Sequence, residues 1–249
     1  DELKIWLLKN KQTQRWDTPI STVDAIYALL NYGSDWLISE GSTTVMLGNT
    51  ILKPETTEAG TGYFKGEIPV STLKPEMGKI TVENKGSNGI GWGAAYWQYF
   101  QDQDKIKSQG KEMNISKKLF VEKVENNRKT MLPIEQAVLK KGDKVIARLV
   151  LTTDRDLEFV ALKDLRAACF EPVNQLSGCL WKEGVCYYQT TKDASTQFFF
   201  SFLPKGTYVF EYELWVNNTG TFTSGITSVQ CLYAPEFAAH TGGERLMVK

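Results

Sequence analysis

Residues Thr207–Val216 read TYVFEYELWV, and Lys144–Thr152 read KVIARLVLT. In the first stretch Tyr208, Phe210, Tyr212, Leu214 and Val216 occupy every second place; in the second, Val145, Ala147, Leu149 and Leu151 do. A pleated strand turns successive side chains to opposite faces, so this period of two predicts strands with one apolar face each. Neither strand can bury that face alone. The sequence on both sides supplies partners, with further strands expected at Leu119–Val124, Leu157–Leu162, Phe198–Leu203 (FFFSFL), Ile226–Tyr233 and Arg245–Val248. Turn chemistry separates them, as in LPKGTY at 203–208 and NNTGTF at 217–222. Short strands at regular spacing with such punctuation predict an antiparallel β-sandwich over residues 113–249. Leu162–Ala168 (LKDLRAA) reads either as a short helix or as strand and turn.

Upstream the pattern differs. Gln101–Lys118 is polar and predicts a linker, with a domain boundary near Met113. Before it, residues 41–112 form a second β segment. Thr43–Leu52 and Lys79–Glu83 read as strands, and Ile90–Phe100 carries aromatics on both alternating faces, the pattern of a strand buried between layers. Residues 1–40 read as two helices. Leu3, Trp6 and Leu7 lie at helical spacing, and Asp17-Thr18-Pro19 is a helix-start signal before Ile20, Val23, Ile26, Tyr27 and Leu30. Gly33 falls where a left-handed cap closes a helix. Two helices bury too little apolar surface by themselves, so this segment is expected to be a remnant that leans on helices outside the chain. The fold class expected is mainly β: a C-terminal sandwich preceded by a β segment and a short N-terminal helical part.

Composition narrows the function classes. Lys plus Arg and Asp plus Glu each total 29, so no net field draws nucleic acid or an anionic membrane. No apolar run has the roughly 20 residues of a membrane-spanning helix. The four cysteines, Cys169, Cys179, Cys186 and Cys231, form no CxxC, and His240 is the one histidine, so no zinc or other metal site is expected. Cys179 and Cys186 flank LWKEGV, a hairpin tip. Two readings stand for them: a disulfide across the hairpin, or unpaired thiols. Nucleophilic catalysis lacks its base, because a lone histidine beside Gly242 and Gly243 is the pattern of an exposed tail. Gly89–Gly93 lacks the spacing of a dinucleotide site, and no cofactor is expected. The carboxylates of Asp154-Arg155-Asp156 and of Glu55 and Glu58 read as turn or surface charge rather than as a glycosidase pair or a calcium loop. The many aromatics read as core, with a sugar-stacking platform as the alternative.

Several stretches resemble one family. QRWDTPISTVDAIYALLNYG (14–33) resembles the last helix of the thioester-containing helical domain of alpha-2-macroglobulins. GWGAAYWQYFQDQDKI (91–106) is similar to the second half of the CUB-like domain of bacterial members. DRDLEFVALKDLRAACFEPVN (154–174) resembles the family's strand, acidic-apolar turn and "AGFEP", with Cys169 in place of Gly. In 190–237 the patterns "RD", "G-x-Y-x-F-x-Y", "G-x-F" and "M-Y-x-P-E" appear as Lys192-Asp193, Gly206–Tyr212, Gly220–Phe222 and Leu232–Glu236, with Leu232 for Met.

The resemblance implies three parts. Residues 1–40 would end a thioester-type helical domain, residues 41–112 would be a CUB-like β segment, and residues 113–249 a receptor-binding-like macroglobulin sandwich. It implies a bacterial protease trap, a broad-spectrum endopeptidase inhibitor without catalysis of its own, in the periplasm or cell envelope. Partners would be the upstream domains of the same polypeptide and, through the whole protein, target proteases. No CxEQ thioester motif occurs in the chain. The last domain would pack on the helical domain and shield its reactive bond; Tyr187 and Tyr188, at a strand start, are the candidates for that contact. The alternative is a cell-surface sandwich that binds a glycan or a host protein, since fold does not decide function.

Overall fold

The alternation at 144–152 and 207–216 does place two strands side by side, pairing Tyr208 with Leu151, Phe210 with Leu149 and Tyr212 with Ala147. The computed structural model describes residues 1–35, 41–53, 56–57, 63–85, 91, 93–125 and 128–249. These fall into two units: Asp1–Ile5 with Asp17–Trp97, and Trp6–Trp16 with Gln98–Lys249.

In the first unit, helix α1 (Glu2–Thr13) begins and α2 (Pro19–Asn31) follows. Thr18 caps α2: its hydroxyl accepts from the Ser21 amide while the Ser21 hydroxyl accepts from the Thr18 amide. Gly33 takes φ +73 just past the helix end, and a side chain there would strike Asp1. The expected strand at 43–52 is a hairpin, β1 (Ser42–Leu47) and β2 (Thr50–Ile51), reversing at Gly48 with φ +58. Two short strands, β3 (Thr56–Thr57) and β4 (Phe64–Lys65), pair with each other, and β5 (Ile80–Lys85) joins the far edge of β1. Among the described residues of this unit only Ala25 and Met77 are buried apolar side chains. Ile20, Val23, Ile26, Tyr27 and Leu30 of α2 are exposed, in keeping with a helical part that cannot bury its own face.

The second unit holds the core. Its strands are β6 (Met113–Glu125), β7 (Arg128–Pro133), β8 (Lys144–Thr153), β9 (Leu157–Leu165), β10 (Phe170–Pro172), β11 (Gly178–Lys182), β12 (Val185–Lys192), β13 (Ser195–Leu203), β14 (Gly206–Val216), β15 (Gly220–Ser224), β16 (Thr227–Cys231), β17 (Ala238–His240) and β18 (Glu244–Val248). One sheet runs β10-β14-β8-β6-β7 and the other β11-β12-β13-β9-β16-β17, with β15 and β18 paired apart. One apolar cluster, from Met113 to Val248, draws on both sheets, the arrangement of an antiparallel sandwich. Its centre is aromatic: Phe198, Phe200, Phe210 and Tyr187 meet at ring-centroid distances of 5.2–5.8 Å.

One open reading is resolved, and two sequence expectations need correction. Of the two readings for Leu162–Ala168, strand and turn holds: β9 continues through Leu165 and carries Asp164 on its inner face. The polar stretch 101–118 is not a free linker. β6 begins at Met113, and Gln109 before it bridges His240 of β17 through two backbone hydrogen bonds of 2.7 and 2.9 Å. Glycine permits this close lie, since a side chain at Gly110 would strike the Met113 carbonyl. Finally, 93–100 carries no strand, and Tyr96, Trp97, Tyr99 and Phe100 are exposed rather than buried between layers; Ile90 and Trp92 lie outside the described residues.

Candidate docking surfaces of the sandwich

The two sheets are tied by charge as well as by packing. Asp164 of β9 is completely buried. Its carboxylate receives Lys117 Nζ at 2.7 Å and Thr227 Oγ1 at 2.6 Å on one oxygen, and the Tyr212 hydroxyl on the other. Lys117 and Tyr212 come from the five-stranded sheet, Asp164 and Thr227 from the six-stranded one. Beside them Arg166 donates to Thr196 Oγ1 at 3.1 Å and to the carbonyls of Asp193 and Lys192. Burial raises the Tyr212 phenol well above its ordinary range, and the Asp164 charge adds to that. Burial lowers the Arg166 guanidinium, opposed by Tyr212 and Asp164. Each polar atom here has its partner, so the cluster is a lock between sheets and not a reactive centre. Sequence reasoning passed over Asp164, although it shares the inward parity of Val160 and Leu162.

The predicted site residues lie on the β11–β12 hairpin, which turns at Glu183 (φ +54) and Gly184 (φ +76). The structure separates the two tyrosines. Tyr187 is 4% exposed, inside the aromatic core, and burial raises its phenol. It cannot reach another domain. Tyr188 points outward and is 45% exposed. It stands opposite Cys179 on one side and Phe199 on the other, and Trp181 stands opposite Cys186. These five outward residues make an uncharged patch.

Of the two readings for Cys179 and Cys186, the register fits the unpaired thiols. Cys179 pairs with Tyr188 and Cys186 with Trp181, so the two thiols are two residues out of step and both are free. A diagonal neighbour across a ladder is farther than the roughly 4 Å between Cβ atoms that a disulfide needs. Cys169 and Cys231 are buried and free, and burial pushes the Cys169 thiol up to about 11.

A second surface was not singled out by sequence spacing. Phe159 holds φ +56, an outlier for a bulky side chain. The pleat reverses there. Inward residues on β9 run Leu157, then Val160 and Leu162, and on β13 Phe198 and Phe200, then Leu203. The ring of Phe159 meets Tyr233 edge-on at 5.1 Å and 88°, and its carbonyl accepts from the Leu232 amide at 2.9 Å. Ala234 and Phe237 are buried, which anchors the loop after β16 and leaves Leu232 and Tyr233 outside, the latter 77% exposed. Strain of this kind persists where the surroundings over-determine it, and it clusters at functional positions.

The outer face of the five-stranded sheet is different. Arg148 pairs with Glu211 at 2.5 Å, Lys144 with Glu213 at 2.7 Å and Lys129 with Glu122 at 3.2 Å, a paired and solvated surface. Asp154 and Arg155 pair at 2.8 Å and Asp156 accepts from the Lys205 amide, so these carboxylates serve turns. Glu55 and Glu58 lie outside the described residues. Among the described residues no three His, Cys, Asp or Glu side chains gather for a metal, and no helix is long and apolar enough to cross a membrane.

A family model described as the bacterial alpha-2-macroglobulin MG10 domain matches residues 113–236. Among solved structures, native Escherichia coli alpha-2-macroglobulin spanning domain MG7 to the C-terminus is 15% identical, with a TM-score of 0.48, over 59% of this chain and 25% of that one. Salmonella alpha-2-macroglobulin reacted with methylamine is 18% identical, with a TM-score of 0.47, over 58% and 10%. Trypsin-activated E. coli alpha-2-macroglobulin is 12% identical, with a TM-score of 0.47, over 97% and 16%. The chain thus spans between a tenth and a quarter of the length of these proteins. No curated protein matches the sequence.

Proposed function

This chain belongs to the bacterial alpha-2-macroglobulin family, and from that premise we propose that it is a non-catalytic part of a protease trap. In this reading residues 1–40 close a thioester-type helical domain, residues 41–112 are a CUB-like segment, and residues 113–249 are the last macroglobulin domain. The protein acts in the periplasm or cell envelope, and proteases are met by the whole molecule. The observation that carries the reading is the MG10 match, which covers the two-sheet sandwich from the first residue of β6 to the loop bearing Tyr233.

The sandwich packs on the helical domain and shields it. Two surfaces suit that contact: the Tyr188 patch, and the Leu232–Tyr233 corner. The corner is the better fitted, because Tyr233 is the more exposed and is already held by Phe159, so ordering it on contact costs little. The test is association in trans between this chain and the upstream helical domain of its parent protein. Tyr233→Ala is expected to weaken it about ten- to hundredfold, the effect of losing an aromatic anchor, and Tyr188→Ala much less. Absence of association at low and moderate salt would sink the reading. A reversed order of the two variants would move the contact to the Tyr188 patch.

The exposed Trp181 beside Tyr188 supports a second reading, a glycan-binding surface, since an indole face can stack on a sugar ring. Binding on a glycan array that Trp181→Ala abolishes would favour it.

A further inference from the structure

The β11–β12 hairpin sets two exposed thiols, Cys179 and Cys186, on one face beside Trp181 and Tyr188. A two-residue turn is closed by a hydrogen-bonded pair, here Lys182 with Val185. Pairs alternate along the ladder, so Trp181–Cys186 and Cys179–Tyr188 are the non-hydrogen-bonded ones, whose side chains stand closest. The right-handed twist of paired strands makes the two diagonals of this face unequal. It shortens the one that joins the first strand's residue farther from the turn to the second strand's residue nearer to it. That diagonal is Cys179 to Cys186. Diagonal Cβ atoms stand roughly 6–7 Å apart, too far for an S–S bond, and with both Cβ–S bonds leaning inward the sulfurs come within roughly 4–5 Å. Two metal–thiolate bonds of roughly 2.3 Å in line span that same gap.

We propose that Cys179 and Cys186 form a two-thiolate site for a soft monovalent cation of the Cu(I) class. Soft thiolate ligands select such cations, and two of them in line complete the coordination. Zinc is not served, since it asks for four ligands and the one histidine lies on β17, at the opposite edge of the sheet. No carboxylate stands among the outward residues Cys179, Trp181, Cys186, Tyr188 and Phe199, so nothing on this face favours a hard cation. On binding, both S–H protons pass to solvent, two S–metal bonds form and no electron is transferred, which leaves one net negative charge on the complex. Cys169 and Cys231 do not compete, because both are buried. The site needs nothing outside this hairpin, so it stands apart from the protease-trap reading.

The reduced chain, titrated with Cu(I) held reduced by ascorbate and in competition with bicinchoninate, is expected to withhold one cation per chain. Cys179→Ser and Cys186→Ser should each weaken retention at least tenfold, and the double variant little further, because a single thiol does not make the site. Tryptophan fluorescence should fall on loading, and Trp181→Phe should keep the cation while removing most of that fall. If a serine variant misfolds, the unaltered chain with its two exposed thiols blocked by iodoacetamide still decides: it should retain none. A chain that yields all its Cu(I) to the competitor overturns the proposal. So does retention that survives either serine variant, which would place the cation elsewhere. Zn(II) held as tightly as Cu(I) overturns it as well, and so does a cation that joins two chains in sedimentation, because the two thiols of one hairpin would then not share it.

Discussion

Val82 and Phe210 each sit within an antiparallel strand of one chain, yet Val82 of β5 faces solvent while Phe210 of β14 is sealed in the core. The contrast extends to the units they belong to. Strand β14 has a second sheet opposite it, supplying Phe198, Phe200 and Tyr187. The sheet β2-β1-β5 buries none of its own side chains among the described residues. An alternating strand is thus half of a structure. Burial, and the stability of about 25 cal/mol per Å² that accompanies it, arrives only with the facing layer. The apolar faces of α2 and of the segment 96–100 fit the same rule, being apolar in sequence but without a layer over them.

The comparison breaks or holds first on hydrogen exchange. Amides of β8 and β14 are expected to exchange only through global unfolding, and those of α2, β1 and β5 orders of magnitude faster. Equal protection in both regions would mean that the first unit has a core of its own. Next in size are core substitutions. Asp164→Ala strands Lys117 without its counter-charge and should cost about 3–5 kcal/mol in urea unfolding. Phe210→Ala should cost a similar ~3–5 kcal/mol by leaving a cavity. Val82→Ala in the first unit should stay within about 0.5 kcal/mol, as exposed substitutions do.

A smaller effect comes with pH. Tyr212 has its pKa raised by burial and by Asp164, above its unfolded value. Its contribution is therefore fully present below pH 10 and is lost as pH rises through and beyond that value. Unfolding midpoints measured from pH 8 to pH 11 should fall, and Tyr212→Phe should flatten the part of the fall that is due to this phenol. The smallest effect is expected on the solvated outer face, where Arg148→Ala should change stability by about 0–1 kcal/mol, the range of partly exposed ion pairs.

How far the site was legible can be judged on the hairpin. The LWKEGV tip was readable, because Glu183-Gly184 supplies the two left-handed residues of a tight turn. Which tyrosine faces inward was not. Consecutive tyrosines satisfy either parity, and the choice fell to β13, whose Phe198 and Phe200 close over Tyr187. The choice between a disulfide and unpaired thiols stayed open for a related reason: spacing brings Cys179 and Cys186 onto one face, but register decides whether they are opposite. Asp164 was legible in principle as a charge at an inward parity. Its partners Lys117, Tyr212 and Thr227 come from distant strands, and no local pattern joins them.

By itself the sequence determined the period of two, the turns at Gly184 and at Pro204-Lys205, the Thr18 cap, and a family resemblance later met by the match over residues 113–236. These depend on neighbours a few residues apart, where backbone sterics and side-chain alternation act. Only the tertiary structure decided that Gln109 pairs with His240 of β17, that Phe159 reverses the pleat beneath Tyr233, and that Tyr187 belongs to the core. Those outcomes depend on which strand lies opposite which. Register and layer are set by the summed packing of residues a hundred positions apart, and no short window of sequence contains that sum.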